Sequence, residues 1–250
     1  LCLLTAEYNE MSNSYIRHEI TRLTTELALL TKWSPQDLAD IIQDVGFSCT
    51  LCGRCCTTEF NGHVFLLDDD AARIKKIKPE VLVPAPEFEL VDGEGNFYVS
   101  GYALRVREDG TCVFLENNRC TIYENRFAIC RIYPYMLHRE PDRKKNPVFR
   151  QISGLNEHGD YHYPISEDEA YALAEETIQY ENAWLMQMID FYTTAEERFL
   201  KNNTSHIRKN YDRRIQEFKK GASVQVYVWF KGDFVPVIVR REEYQGFGWP

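Results

Sequence analysis

Four cysteines within eight residues are the feature that most constrains how this 250-residue chain can fold. Seven of its eight cysteines lie between residues 49 and 130, at Cys49, Cys52, Cys55, Cys56, Cys112, Cys120 and Cys130. Gaps of two residues are typical of metal-ligand pairs, so we expect these sulfur atoms to converge. Thiolate is a soft ligand, and all-sulfur sites select zinc or iron–sulfur clusters. The spacing therefore predicts a metal centre built from these seven cysteines.

Two other interpretations of the cysteines compete with metal binding. Structural thiols in a core would be scattered, whereas these recur at two-residue spacing. Disulfides would leave one of seven cysteines over, and no export signal precedes them. Metal binding accounts for the pattern better than either alternative.

The spacing favours an iron–sulfur cluster but leaves zinc open. Three cysteines two residues apart plus a distant fourth resemble the ligands of a [4Fe–4S] cluster, so Cys49, Cys52 and Cys55 are the first ligands expected. Gly53 would let this loop curl round a cluster. A closed zinc site uses four cysteines, and seven exceed one such site. Because neighbouring side chains point apart, we expect Cys56 to serve a second centre with some of the distal cysteines.

The cysteine blocks carry a family resemblance. The blocks are CTLCGRCC (49–56), CVFL (112–115), CTIY (120–123) and CRIYP (130–134). Together, over residues 47–136, they resemble the YkgJ-type cysteine-cluster family, whose members are described as zinc- or iron-chelating and often called iron–sulfur proteins. One departure is that Phe127 follows Arg126 where the family usually has proline, which is expected to loosen one turn. The resemblance implies metal binding by the same cysteines.

A similar cysteine block occurs in bacterial flagellin lysine N-methylases, which implies an enzymatic alternative. A methylase needs a site for a methyl donor, usually S-adenosylmethionine. No Gly-x-Gly-x-x-Gly motif follows a strand here, and the residues 93–95 are better explained as a turn. The sequence therefore favours metal binding over methyl transfer by a protein lysine methylase.

Composition excludes two further classes. The net charge of −9 argues against a general nucleic-acid binder, which needs a basic face. No run of about 18 apolar residues is present, so no membrane span is expected. The apolar residues 1–4 are too short for a signal-peptide core, which favours a cytoplasmic location. Met11 offers an alternative start, which would make residues 1–10 an extension or a processed remnant.

Hydrophobic periodicity predicts an α+β fold with helices flanking a loop-rich core of short strands. We expect an N-terminal helical segment (1–46), a cysteine-cluster core (47–165), C-terminal helices (166–221), and a β-hairpin with a tail (222–250). Ser34 and Gly46 read as the cap and stop of one helix, and Ser166 with Glu169 as a capping box. Thr194 with Glu197 indicates a fresh helix start. Pro236 marks the last strand as an edge strand.

Two kinds of residue near the cysteines are candidates for an accessory role at a metal centre. Histidine and aspartate are common metal ligands, and the sequence places His158, Asp160 and His162 close together. Short polar loops often contain such residues by chance. Arg126 and Arg131 bracket Cys130, where positive charge would offset the negative charge of a thiolate cluster.

These observations predict an iron–sulfur protein with an electron-transfer, accessory or modification role in a larger assembly. The flanking helices and the hairpin exceed what an isolated carrier needs, so we expect a protein partner. A structural zinc-binding interaction module is the non-redox alternative.

Overall fold

The computed structural model describes the backbone of residues 2–138, 148–150 and 157–247, and the side chains of residues 14–59, 62–136 and 157–247. The helices in these ranges are α1 (Cys2–Leu30), α2 (Pro35–Val45), α3 (Thr58–Asn61), α4 (Asp68–Ile77), α5 (Ala128–Arg131), α6 (Glu167–Lys201) and α7 (Arg208–Lys219). Short 3₁₀ turns occupy Arg54–Cys56, Pro79–Val81, Tyr123–Asn125 and Arg241–Tyr244. Residues 139–147 and 151–156 of the predicted core 47–165 lie outside the described residues.

The strands are short except for the last two. They are β1 (Phe65–Leu66), β2 (Leu82–Pro84), β3 (Leu90–Val91), β4 (Phe97–Val99), β5 (Tyr102–Leu104), β6 (Leu115–Glu116), β7 (Arg119–Cys120), β8 (Met136–His138), β9 (Val148–Arg150), β10 (Val224–Phe230) and β11 (Asp233–Val239). The mixture of long helices and small sheets confirms the predicted α+β class.

The two N-terminal helices pack against α6. Ile16 and Leu23 of α1, Leu38 of α2 and Phe199 of α6 are fully buried in one cluster. This is the inward stripe that the three- and four-residue spacing predicts. Ser34 caps α2 by accepting the Gln36 N–H at 3.2 Å. Gly46 ends α2 in the left-handed conformation, as predicted.

Helix α6 corrects one prediction. Its capping box is present, with the Ser166 side chain accepting the Glu169 N–H. The helix then continues unbroken to Lys201, so no new helix starts at Thr194. The reason is that Phe191, Ala195 and Phe199 continue one buried face through this point.

The C-terminal hairpin joins the middle of the chain to form one sheet. The strand order is β11-β10-β4-β3, with β10 parallel to β4 and antiparallel to β11. Strand β11, which contains Pro236, therefore lies at the edge, as predicted. A second sheet has the order β1-β5-β2, while β6 with β7 and β8 with β9 form separate pairs.

Both faces of the inner strand β4 are buried. Tyr98 points into the helical cluster, while its neighbours Phe97 and Val99 belong to a second core. This alternation follows from the two-residue period of a strand. The second core also includes residues of the other sheet, α4 and α7, so helices and sheets share two adjoining cores. Among the described residues, no helix has the length and apolarity needed to cross a bilayer.

The carboxyl group of Glu89, the residue before strand β3, lies next to the turn between strands β4 and β5. The Glu89 carboxylate accepts hydrogen bonds from the side chain and the backbone N–H of Ser100. Burial raises the pKa of Glu89 to about 8, and these two hydrogen bonds only partly oppose that rise.

This raised pKa predicts a pH-dependent stability. The folded protein holds a proton on Glu89 between about pH 4.5 and about 8, where the unfolded chain has lost it. The free energy of unfolding should therefore fall as pH rises through this window, by at most about 1.4 kcal/mol per pH unit from this group. Denaturant unfolding at a series of pH values should show a smaller fall for Glu89→Gln. The exposed neighbour variant Glu87→Gln is the control, and equal slopes in both variants would contradict the prediction.

Candidate metal centre

The seven predicted cysteines line one cavity of about 140 Å³. Four belong to the loop around the 3₁₀ turn Arg54–Cys56, and three come from the segment that includes β7 and α5. The structure thus brings together thiols that are up to 81 residues apart in the chain, from Cys49 to Cys130. Ligation by these residues remains a prediction.

The first loop turns sharply because of two left-handed residues. Leu51 has φ of 58° and Gly53 has φ of 76°. Glycine adopts this conformation freely, whereas it is uncommon for leucine. The loop then enters the 3₁₀ turn that carries Cys55 and Cys56. The conformational freedom expected of Gly53 is therefore used to place the last two cysteines of the block.

Cys55 and Cys56 do not point apart as expected. Their side chains are hydrogen bonded to each other, and both line the cavity. The bond from Cys55 lowers the pKa of Cys56 to about 7 and raises the pKa of Cys55. One thiol of the pair is therefore poised to ionise near neutral pH. Assignment of Cys56 to a second centre stays a prediction.

One distal cysteine, Cys112, is tied to the first loop by a backbone hydrogen bond. The Cys112 N–H donates to the Cys56 carbonyl oxygen at 2.8 Å. Burial raises the pKa of Cys112 to about 11 and also raises those of Cys120 and Cys130, with neighbouring thiolates adding to the rise. These thiols are close enough for the charge of one to oppose ionisation of the others.

The sulfur atoms surround a space and do not meet at a point. Within the described residues, no three Cys, His, Asp or Glu side chains are grouped as one metal ion would require. The expected convergence on a single point is therefore not observed. The seven thiols instead share the wall of the cavity.

Of the two arginines beside Cys130, only Arg126 lines the cavity. Its guanidinium lies 3.9 Å above the centre of the Tyr123 ring, and its charge acts to lower the pKa of Cys56. Arg131 instead pairs with Glu176 of α6. Phe127 has φ of −65°, the value that a proline ring imposes, so the turn keeps the geometry of the usual Arg-Pro pair.

A segment beyond the cysteines closes one side of the cavity. We call residues 157–163 the clasp segment. Ser48 and Asp160 exchange two backbone hydrogen bonds, of 2.8 and 2.9 Å. The Tyr163 N–H donates to the Gly46 carbonyl at 2.9 Å, and Arg54 donates to the Glu157 carbonyl at 2.9 Å. The clasp segment is therefore joined to both ends of the first cysteine loop.

The clasp separates the two histidines that the sequence places together. His158 is 5% exposed and lines the cavity, with its Nε2 atom 2.5 Å from the Tyr133 hydroxyl oxygen. His162 is exposed, and its Nδ1–H donates to the Asp44 carbonyl at 3.1 Å. The sequence contains no signal that distinguishes them, because both stand in the same short polar stretch.

Comparison with known proteins agrees with this site. Residues 48–153 match the CxxCxxCC family model, described as "Putative zinc- or iron-chelating domain". The match spans all seven cysteines of the cavity and supports metal binding by this part of the chain. It covers less than half of the chain, and the clasp segment lies beyond it. No curated protein and no solved structure matches.

Substitution of Gly159 tests how closely the clasp segment packs against Phe47. It has φ of 73°, and a Cβ atom there would lie 2.3 Å from Phe47 Cε2. We expect Gly159→Ala to destabilise the protein by about 1–3 kcal/mol beyond the left-handed backbone cost, because the ring must move. Gly221→Ala is a matched control, since Gly221 also has a positive φ but nothing within 4 Å. Equal losses in thermal unfolding would show that the clasp segment is loosely packed.

Proposed function

We propose that this protein binds an iron–sulfur cluster, of the [4Fe–4S] type, in the cysteine cavity. Its role on this proposal is electron transfer, or an accessory or modification role in a larger assembly. The single observation that carries the proposal is the arrangement of seven thiols around one cavity of about 140 Å³.

The size of the cavity favours a group of atoms over one ion. A space of roughly 10–15 Å³ suffices for one water-sized occupant. The cavity between the thiols is therefore about ten times larger than a single ion requires. A closed zinc site has its four ligands at about 2.3 Å from one centre, which draws the sulfurs together.

The chemistry of the wall fits a thiolate-held cluster. Thiols supply the soft ligands, and Arg126 supplies positive charge beside them. Aromatic rings at Phe47, Tyr123 and Tyr133 form part of the same wall. When bound, such a cluster supplies a one-electron carrier, whose potential depends on hydrogen bonds, charge and exposure.

The edge of the cavity at Leu51 and Cys52 is open to solvent. Leu51 is 39% exposed, and Cys52 is the exposed member of the seven thiols. Electrons would reach the centre over the shortest distance at this edge. We therefore propose that the protein partner, which we expect from the length of the flanking segments, contacts this edge.

Purification under nitrogen tests the proposal directly. We expect a brown protein with broad absorption near 400 nm, and with iron and sulfide in equal amounts by chemical analysis. A colourless protein that contains zinc alone would replace the proposal with a structural zinc module. A protein without either metal after anaerobic reconstitution would overturn metal binding altogether.

Single cysteine substitutions test which thiols hold the metal. Cys49→Ser, Cys55→Ser and Cys130→Ser should each lose most of the bound metal, because the donor set spans both halves of the cavity. Cys2→Ser is the matched control, since Cys2 lies outside the cysteine blocks. Metal content per chain is the measurement, and retention of full metal by all three variants would contradict the assignment. Loss of only part of the metal in Cys56→Ser would favour a second centre.

The lysine methylase alternative has no site residues assigned to it and stays a prediction. Binding of labelled S-adenosylmethionine to the purified protein would revive it.

A further inference from the structure

We propose that His158 is a positioning residue of the metal centre, acting through its hydrogen bond to Tyr133. The centre would then extend beyond the family match, into the clasp segment. This inference rests on the proposed metal binding.

The clasp segment contributes one side chain to the cavity. His158 and Gly159 are its cavity-lining residues, and glycine has no side chain to offer. Asp160 next to them is exposed and bonds through its backbone to Ser48. The hydrogen bonds on both sides of His158 therefore hold its ring at a fixed place in the wall.

The ring of His158 is enclosed by aromatic neighbours. Its centre lies 6.3 Å from that of Phe47, which it meets at 67°, and 5.6 Å from that of Tyr133. Together with the 2.5 Å contact between Nε2 and the Tyr133 oxygen, these contacts leave the imidazole little freedom to turn. A buried ring held at both its face and its polar atom is suited to orient its partner.

Tyr133 connects His158 to the sulfurs. It follows the last cysteine block, lines the cavity, and is close enough to Cys52, Cys55 and Cys56 to interact with their charge. His158 can thus set the direction of the tyrosine hydroxyl beside the first cysteine loop. Groups that act in this way around a metal orient its ligands and control the access of water.

Four variants separate this role from a purely structural one. Tyr133→Phe and His158→Leu remove the hydrogen bond, whereas His158→Gln keeps a polar atom near the position of Nε2. His162→Asn is the matched control, because this histidine lies outside the cavity and asparagine tolerates its positive φ of 58°. Each variant is loaded anaerobically with the metal that the wild-type protein holds. Release of that metal to EDTA is then measured together with the visible spectrum, taken after cobalt substitution if the metal is zinc.

We expect Tyr133→Phe and His158→Leu to release metal about tenfold faster than the wild type, with shifted absorption bands. His158→Gln and His162→Asn should stay close to the wild type in both measurements. If Tyr133→Phe released metal at the wild-type rate and kept the wild-type spectrum, the inference would be overturned. It would also be overturned if His158→Gln changed the release rate and the spectrum as much as His158→Leu does. Should His158→Leu fail to fold, Tyr133→Phe decides alone. A wild-type protein without metal would overturn the proposed function as well, whereas unchanged variants of a metal-loaded protein would overturn the inference only.

Discussion

Confinement of seven thiols around one cavity is the constraint on which the rest of the structure depends. Thiolates are stabilised by water, so desolvation and mutual repulsion keep partly buried thiols such as Cys112 and Cys130 protonated. A cation that replaces those protons relieves both penalties, which is why metal binding by cysteines releases protons and depends on pH. Arg126 offsets part of the same charge from the wall. The cavity is thus electrostatically suited to a positively charged occupant.

A wall made of loops needs a packed frame that holds it in place. The cysteine loop and the clasp segment bury few apolar side chains, whereas α1, α2, α6 and the inner strands of the four-stranded sheet are packed into two cores. Phe127 and Phe114 connect this frame to the cavity, since both line the cavity and belong to one of the cores. Burial in these cores is the dominant favourable term for folding. The irregular wall can therefore keep conformations that suit ligands, such as the left-handed Leu51.

Local signals in the sequence predicted much of the frame. Ser34 and Gly46 bound a helix because a hydroxyl satisfies the first amide groups and glycine accepts the left-handed end. The same capping rule gave a wrong prediction at Thr194. Threonine is a good capping residue, but here it lies inside α6. There the buried face formed by Phe191 and Ala195 continues, and packing outweighs the local preference. The side chains of the adjacent residues Cys55 and Cys56 were likewise expected to point apart. The 3₁₀ turn instead brings their thiols into contact.

By itself, the sequence determined that the cysteines form closely spaced blocks, and it determined the ends of α2 and the start of α6, because spacing and capping depend on residues that are near each other in the chain. Only the tertiary structure decided that β10 pairs in parallel with β4, and that His158 rather than His162 meets Tyr133. Both contacts join residues far apart in the chain, and no local pattern distinguishes the partner chosen from its neighbours. They follow from the packing of the whole chain, in which the backbone of residues 157–163 satisfies the hydrogen-bonding groups of residues 45–48.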